Sequence, residues 1–358
     1  MHFNIFKGSI FAALILTSAI SFSQPAAVPP ANSAGLSTAR ITFKNIDVPG
    51  ASATSAAGIN NSGVIVGLLQ DSIGAFHGYL ADKEGNFVKA IDFPGAAQTE
   101  PFGINESGDV VGSYVDDGGA VHGFLLHDGR FATIDFPGAA ATFPNDINDR
   151  VQIAGAYQDD LLAFHGFIFD SDGFRTIDNP AQGSLPSTQL FSINSKGDIL
   201  GDFAADEIGI FHGAFLLSHE TFIPFTVPRA TLGIFALGLN NNNDVAGSFV
   251  GDDFVQHGFV ADKENIVSFD FPGALATAPL QINTSRHIVG IYADAAVNTH
   301  SFLVTFDGQG VDTGSSAATA SATLQKIDTN GQPVMCATQQ TIHSGGNPSR
   351  GQNLICHQ

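Results

Sequence analysis

Six histidines recur along the 358-residue chain, at His77, His122, His165, His212, His257 and His300, and a ring of imidazoles is the first pattern that could do chemistry. Zinc requires its ligand nitrogens at about 2.0–2.1 Å. Each histidine falls in the third strand of a repeated unit, roughly 10 Å outward from the innermost strand, so equivalent imidazoles cannot converge. A structural role is expected instead, with each histidine hydrogen-bonded to a neighbouring turn. The recurring Asp47, Asp92, Asp135, Asp178 and Asp270 receive a similar reading, an Asx-type bond that fixes the Pro-Gly turn beside them.

A second set of carboxylates sits in turns between the second and third strands of each unit: Asp71; Asp116 and Asp117; Asp159 and Asp160; Asp206 and Glu207; Asp252 and Asp253; Asp294. Calcium takes six to eight oxygen ligands, and Asp116, Asp117, Asp159, Asp160, Asp252 and Asp253 are the residues that would supply them. The regular Asp-x-Asp-x-Asp-Gly loop is missing, so a solvated acidic rim is the preferred reading and no cofactor is expected.

Features present in every copy build the repeat, whereas a single binding site must break its symmetry. Glu100, Asn145, Asp146 and Gln189 near the channel have no counterpart in the other copies, and Arg229 replaces the Asp and Gly of its connection. These five are the candidate ligand-binding residues. Glu100 and Asp146 belong to adjacent units, and two carboxylates across a funnel are what a glycoside hydrolase uses. The segment Ala181-Gln182-Gly183-Ser184-Leu185-Pro186 lengthens one connection and is expected to protrude over the mouth. No nucleophile elbow, phosphate loop or zinc cysteine pattern is present.

The elements that position these residues are set by an internal repeat. The Asn of an Ile/Leu-Asn pair recurs at Asn60, Asn105, Asn148, Asn194, Asn240 and Asn283, in steps of 43 to 46 residues. A glycine after an apolar pair keeps the same beat, at Gly67, Gly112, Gly155, Gly201, Gly247 and Gly290. Each copy reads as four short strands separated by turns, as in Phe102–Asn105, Asp109–Tyr114, Val121–Leu126 and Phe131–Asp135. Four antiparallel strands per roughly 45 residues is the period of a β-propeller blade, so an all-β, six-bladed propeller over residues 41–309 is expected. Ile41–Asp47 matches the last strand of a unit, whereas the sixth copy supplies only three strands. The N-terminal strand is therefore expected to complete the sixth blade. The pattern His-Gly-Phe-Leu, a Gly turn, Ile-Asp-Phe-Pro-Gly-Ala and Gly-Ile-Asn-x-x-Gly-x-Val-Val-Gly resembles the extracellular repeats called the HAF family, across residues 41 to about 305. That resemblance implies an exported, propeller-like repeat protein and brings no reaction with it.

Composition bounds the function. With 14 Lys plus Arg against 34 Asp plus Glu, the formal charge of −20 repels nucleic acid and anionic lipid. Forty Gly, 16 Pro and 31 Phe without Trp suit a turn-rich β protein with a Phe core. Residues 1–23 read as an export signal, with Lys7, the apolar run Ile10–Ile20 and small residues at Ser21 and Ser23. Residues 24–40 and 310–323 read as linkers. Residues 324–358 form a segment whose Cys336 and Cys356, the chain's two cysteines, are expected to pair as a disulfide.

The expectation is a monomeric, non-enzymatic, periplasmic or secreted protein that presents its acidic loops to an extracellular protein or glycan, with no nucleic-acid partner and no membrane insertion. The alternative is a polysaccharide hydrolase or lyase working through Glu100 and Asp146.

Overall fold

In the computed structural model of the chain, the described residues are 40–182, 187–204, 212–228, 230, 232–263 and 265–307, with backbone alone for the strands 325–326, 336–340 and 352–356. The expected signal (1–23), most of the linker at 24–40, the linker 310–323, Arg229, residues 183–186 of the long connection, and Asp206 and Glu207 lie outside them. No helix occurs among the described residues.

Strand β1 spans Arg40–Asn45. The first unit is β2 (Ala53–Ile59), β3 (Ile65–Gln70), β4 (Phe76–Ala81) and β5 (Phe87–Ile91). The second is β6 (Gln98–Ile104), β7 (Val110–Val115), β8 (Val121–His127) and β9 (Arg130–Thr133). The third is β10 (Ala141–Ile147), β11 (Ile153–Gln158), β12 (Phe164–Asp170) and β13 (Gly173–Ile177). The fourth is β14 (Thr188–Ile193), β15 (Ile199–Ala204), β16 (His212–Ser218) and β17 (Thr221–Phe225). The fifth is β18 (Gly233–Leu239), β19 (Val245–Val250), β20 (Gln256–Ala261) and β21 (Ile266–Phe269). The sixth contributes β22 (Ala276–Ile282), β23 (Ile288–Ala293) and β24 (Thr299–Asp307).

Units one to four are separate four-stranded antiparallel sheets in sequence order. The last two are joined by a single parallel register pair, Gln256 opposite Ala276, into a larger sheet. Both chain ends enter that sheet. Strand β1 pairs antiparallel with β24, from Arg40 opposite Asp307 to Asn45 opposite Phe302, so the first described strand takes the fourth position beside β22, β23 and β24. The short β25 (Gln325–Lys326) adds to the outer edge of β21. In β26 (Cys336–Gln340) and β27 (Gln352–Cys356) the two cysteines stand opposite each other in register, with their side chains outside the described residues.

Burial falls from inner to outer strand. β10 and β22 are buried throughout, whereas β9 and β17 are mostly exposed, so each sheet stands with one edge inward. The recurring glycine follows from a bulge. All six inner strands shift register by one residue opposite it, as between Ala56 and Gly58 or Pro101 and Gly103. The shift brings a carbonyl under the glycine, so that a Cβ on Gly67 would lie 2.0 Å from the Ser55 oxygen and one on Gly112 2.1 Å from the Glu100 oxygen. No side chain fits there.

Neighbouring sheets pack through apolar clusters, and the last packs on the first: Val289 and Leu303 join Ala56, Ile59, Ile65 and Tyr79 in one buried group. Phe43 of β1 is buried with Phe269, Ile282, Phe302 and Val304.

Candidate functional site

The turns that connect first and second strands form one face of the molecule, here the asparagine face. Each recurring Asn donates its Nδ2 to the backbone oxygen of the equivalent Asn in the next unit: Asn60 to Asn105, Asn105 to Asn148, Asn148 to Asn194, Asn194 to Asn240, and Asn240 to Asn283, at 3.0–3.3 Å. Asn283 donates to Asn60 at 3.0 Å, and the cycle is complete. The Oδ1 of each accepts an amide of its own turn, such as Val64 N–H at 2.9 Å or Asp244 N–H at 2.9 Å. Both ends of every amide are engaged.

Inside this ring the residues after the bulge are Gly58, Gly103, Asp146, Ser192, Gly238 and Gln281. The Asp146 carboxylate accepts Ser192 Oγ–H at 2.6 Å, Ile193 N–H at 3.0 Å and Gln281 Nε2–H at 3.1 Å, as well as its own neighbour Ile147 N–H at 3.0 Å. These donors offset the cost of burying a charge. Glycine at two flanking positions makes room: a Cβ on Gly103 would lie 2.6 Å from the Asp146 Cα, and one on Gly238 2.8 Å from the Gln281 Cα. The cavity left between this tier and the asparagines measures about 50 Å³. It has room for water and opens to solvent between the turns of the asparagine face.

One residue earlier, the bulge side chains Ala57, Phe102, Phe191, Leu237 and Leu280 are all about 1% exposed or less. Phe191, Leu237 and Leu280 share one cluster, and Phe102 packs on Ala57 and Leu68. This apolar tier separates Asp146 from Glu100. By register Glu100 matches Ser55, Phe143, Gln189, Phe235 and Ala278, three residues up the strand from the Asp146 tier and so roughly 10 Å away. Burial pushes the Glu100 carboxyl up to about 7. No second carboxylate stands among the inner-strand residues of its tier, so the structure does not assemble the Glu100–Asp146 pair that the sequence suggested.

The other face, here the loop face, carries the turns between second and third strands and the connections between units. Here each described third-strand histidine side chain lies between two carboxylates. Nδ1 bonds Asp92, Asp135, Asp178, Asp270 and Asp47, from His77, His122, His165, His257 and His300 respectively, at 2.6–3.3 Å. Nε2 approaches Asp71, Asp116, Asp159, Asp253 and Asp294 at 3.0–3.5 Å. The side chain of His212 lies outside the described residues. Burial lowers the His257 pKa, but Asp270 and Asp253 outweigh it and hold the imidazole at about 9. His122 is raised chiefly by its bond to Asp135. At Asp294 the bonds from the Asn298 side chain and amide hold the carboxyl at about 2.

This corrects the expected task of the recurring aspartates. They bind histidine, and the Pro-Gly turn is fixed by a threonine six residues on: Thr99 Oγ1 accepts Phe93 N–H, Thr142 accepts Phe136 N–H and Thr277 accepts Phe271 N–H, at 2.9–3.0 Å. The phenylalanine so placed stacks on a tyrosine of the next unit, at 3.7 Å for Phe93 on Tyr114 and 3.8 Å for Phe271 on Tyr292.

The remaining sequence candidates are scattered. Asn145 is buried and donates to the Leu190 oxygen at 2.9 Å. Gln189 is 1% exposed, with its Oε1 unpartnered among the described residues. Asp116 and Asp159 use one oxygen to cap two amides of their own turn, as Asp253 does for Val255 N–H, and the other to meet histidine. Asp117, Asp160 and Asp252 are the exposed or half-exposed neighbours in those turns. No group of three or more potential metal ligands forms among the described residues. Carboxylates occur in the turns of both faces, but the cations are segregated. Lys83, Arg150, Lys196, Lys263 and Arg286 stand in turns of the asparagine face, with Arg130 beside one, whereas no turn or connection of the loop face carries Lys or Arg among the described residues. The asparagine ring and the axial tier were missed in the sequence reading, although the asparagine beat itself was its signal.

No family model matches the chain, and no curated relative matches it. Among solved structures the chain is similar to AofleA from Arthrobotrys oligospora, at 10% identity over 86% of this chain and 94% of that one, with a TM-score of 0.41. It is similar to the Aleuria aurantia lectin in complex with Fucα1-6GlcNAc, at 8% identity over 80% of this chain and 100% of that one, TM-score 0.46. It is also similar to the β-propeller domain of the Trilobed protease from Pyrococcus furiosus, at 9% identity over 74% and 95%, TM-score 0.47.

Proposed function

We propose that the chain is a closed β-propeller of six blades, exported by residues 1–23, which binds an extracellular ligand at its loop face and catalyses no reaction. The pairing of β1 with β24 and the cycle of asparagine bonds support the closed ring. A Cys336–Cys356 disulfide and likeness to the HAF repeats belong to the same proposal. The observation that carries the functional reading is the distribution of cations: Lys83, Arg150, Lys196, Lys263 and Arg286 stand in turns of the asparagine face, whereas the described turns and connections of the loop face carry no Lys or Arg, and the recurring asparagines of the opposite face are engaged by neighbouring units. The buried side chains Phe102, Phe191, Leu237 and Leu280 fill the inner strands beneath the asparagines, and this reading takes the exposed loop face as the surface for a ligand. The hydrolase reading has less support, because Glu100 and Asp146 stand in different tiers and no other inner-strand carboxylate shares the tier of Glu100 among the described residues.

The test is a thermal-shift screen of the protein against oligosaccharides and polypeptides, repeated with the triple variant Asp117→Asn, Asp160→Asn, Asp252→Asn. A ligand that raises the midpoint of the unchanged protein is expected to lose its effect on the variant. A shift that survives in full places the binding elsewhere and overturns the proposal.

A further inference from the structure

The loop face is not uniform around its rim. Two positions in each unit can be compared. One is the residue entering the inner strand, whose N–H bonds the end of the second strand: Ser52 to Gln70, Ala97 to Val115, Ala140 to Gln158, Leu232 to Val250 and Leu275 to Ala293. The other is the left-handed position of the turn between second and third strands, occupied by Gly74 (φ 91°), Gly119 (86°), Leu162 (65°), Phe254 (62°) and Val297 (66°). Units one and two have Ser or Ala at the first position and Gly at the second. Units five and six have Leu at the first and Phe or Val at the second.

The result is an apolar arc on two adjacent units. Leu232 is 50% exposed, Phe254 67% and Leu275 43%, with Val297 half-buried beside them. Nothing in folding favours this choice. A left-handed backbone suits glycine, and a β-branched valine there is strained. Leu162 of unit three, 65% exposed at φ 65°, shares the left-handed position, but only units five and six add an exposed leucine at the strand entry, so that two apolar positions adjoin there. The arc is framed by Asp252, Asp253 and Asp294, with no Lys or Arg among the described loop-face turns.

On the reading that the loop face binds a ligand, we infer that the arc of Leu232, Phe254, Leu275 and Val297 docks a cationic polypeptide segment that carries apolar side chains. Charge complementarity selects this occupant. A second copy of the chain brings another net charge of −20 against the same carboxylates, and an anionic lipid surface is repelled likewise. A neutral glycan donates hydroxyl hydrogen bonds to such carboxylates but gains no charge attraction from them. Apolar side chains of the segment cover the arc and its Lys or Arg residues meet the aspartates.

The experiment uses the full protein and three probes: a synthetic amphipathic peptide of Lys and Leu, its Glu and Leu counterpart, and a set of neutral oligosaccharides. The Lys/Leu peptide is expected to bind, more weakly as salt rises, and the Glu/Leu peptide is not. Phe254→Gly with Leu232→Ser is expected to weaken binding at least about tenfold. The companion variant Ile73→Ser with Leu161→Ser, outside the arc, is expected to leave it unchanged. Phe254→Gly alone should melt no lower than the unchanged protein, which separates lost binding from lost folding. Two results overturn the inference while sparing the loop-face reading: peptide binding that falls with the Asp→Asn triple variant but not with the arc variants, or loop-face binding of an oligosaccharide without the peptide. If neither set of variants affects any ligand, the loop-face reading falls as well.

Discussion

The two faces of the molecule handle their polar groups in opposite ways. On the asparagine face every repeated side chain is engaged by the next unit, and the cycle returns from Asn283 to Asn60. On the loop face most bonds stay within a unit, between turn, histidine and aspartate, and several side chains are exposed: Asp117, Asp160, Asp252, Leu161 and Phe254. The difference teaches where symmetry is needed. Joining copies requires identical residues, whereas binding a ligand requires that some copies differ.

Breaking the joined side should have the largest effects. Phe43→Ala empties the buried site by which β1 holds the last sheet, and is expected to lower unfolding free energy by about 4 kcal/mol in urea titration. Asp146→Ala leaves Ile193 N–H without its acceptor and removes the shorter bonds of Ser192 and Gln281, at a cost of about 3 kcal/mol by the same measurement.

The histidine clusters give the next effect. The folded pKa of His257, about 9, lies above the ordinary imidazole value, so its contribution is complete below about pH 6.5 and is lost as pH rises through about 9. The loss for this residue is up to about 3 kcal/mol. Urea midpoints at pH 6 and about pH 9.5 should differ accordingly, and His257→Gln should flatten the profile. At the acid end the sign reverses: Asp294, held at about 2, contributes above its ordinary value and ceases to as pH falls through 2. The smallest effect sharpens the contrast from the other side. Leu162→Gly, at φ 65°, relieves left-handed strain and should raise stability by up to about 1 kcal/mol, read as a higher melting midpoint.

The repeat was legible because each of its markers has a local steric cause. Gly112 is needed under the Glu100 carbonyl, and Asn105 closes its own turn through the Asp109 amide. Pairing of the N-terminal strand was legible from the Ile-Thr-Phe match to other fourth strands. The axial site was not. Asp146 meets Gln281 across 135 residues of sequence, a contact that no local pattern signals, whereas the separation of Glu100 from Asp146 was readable from the asparagine beat, since the one lies five residues before Asn105 and the other two before Asn148. The recurring aspartates were assigned to the wrong partner because a threonine six residues on can reach the same Pro-Gly turn. The apolar arc shows only when the turns are superposed, since one leucine in a loop carries no signal by itself.

The contact of Arg40 with Asp307 places the opening strand of the domain beside its closing one. Strand β1 thus has no permanent strand partner until β24 has been synthesised. Their pairing joins remote stretches of the chain, a slow and entropically demanding step. Until it occurs, the free margin of β24 is exposed to any other strand in reach, and misassembly between nascent chains should start there.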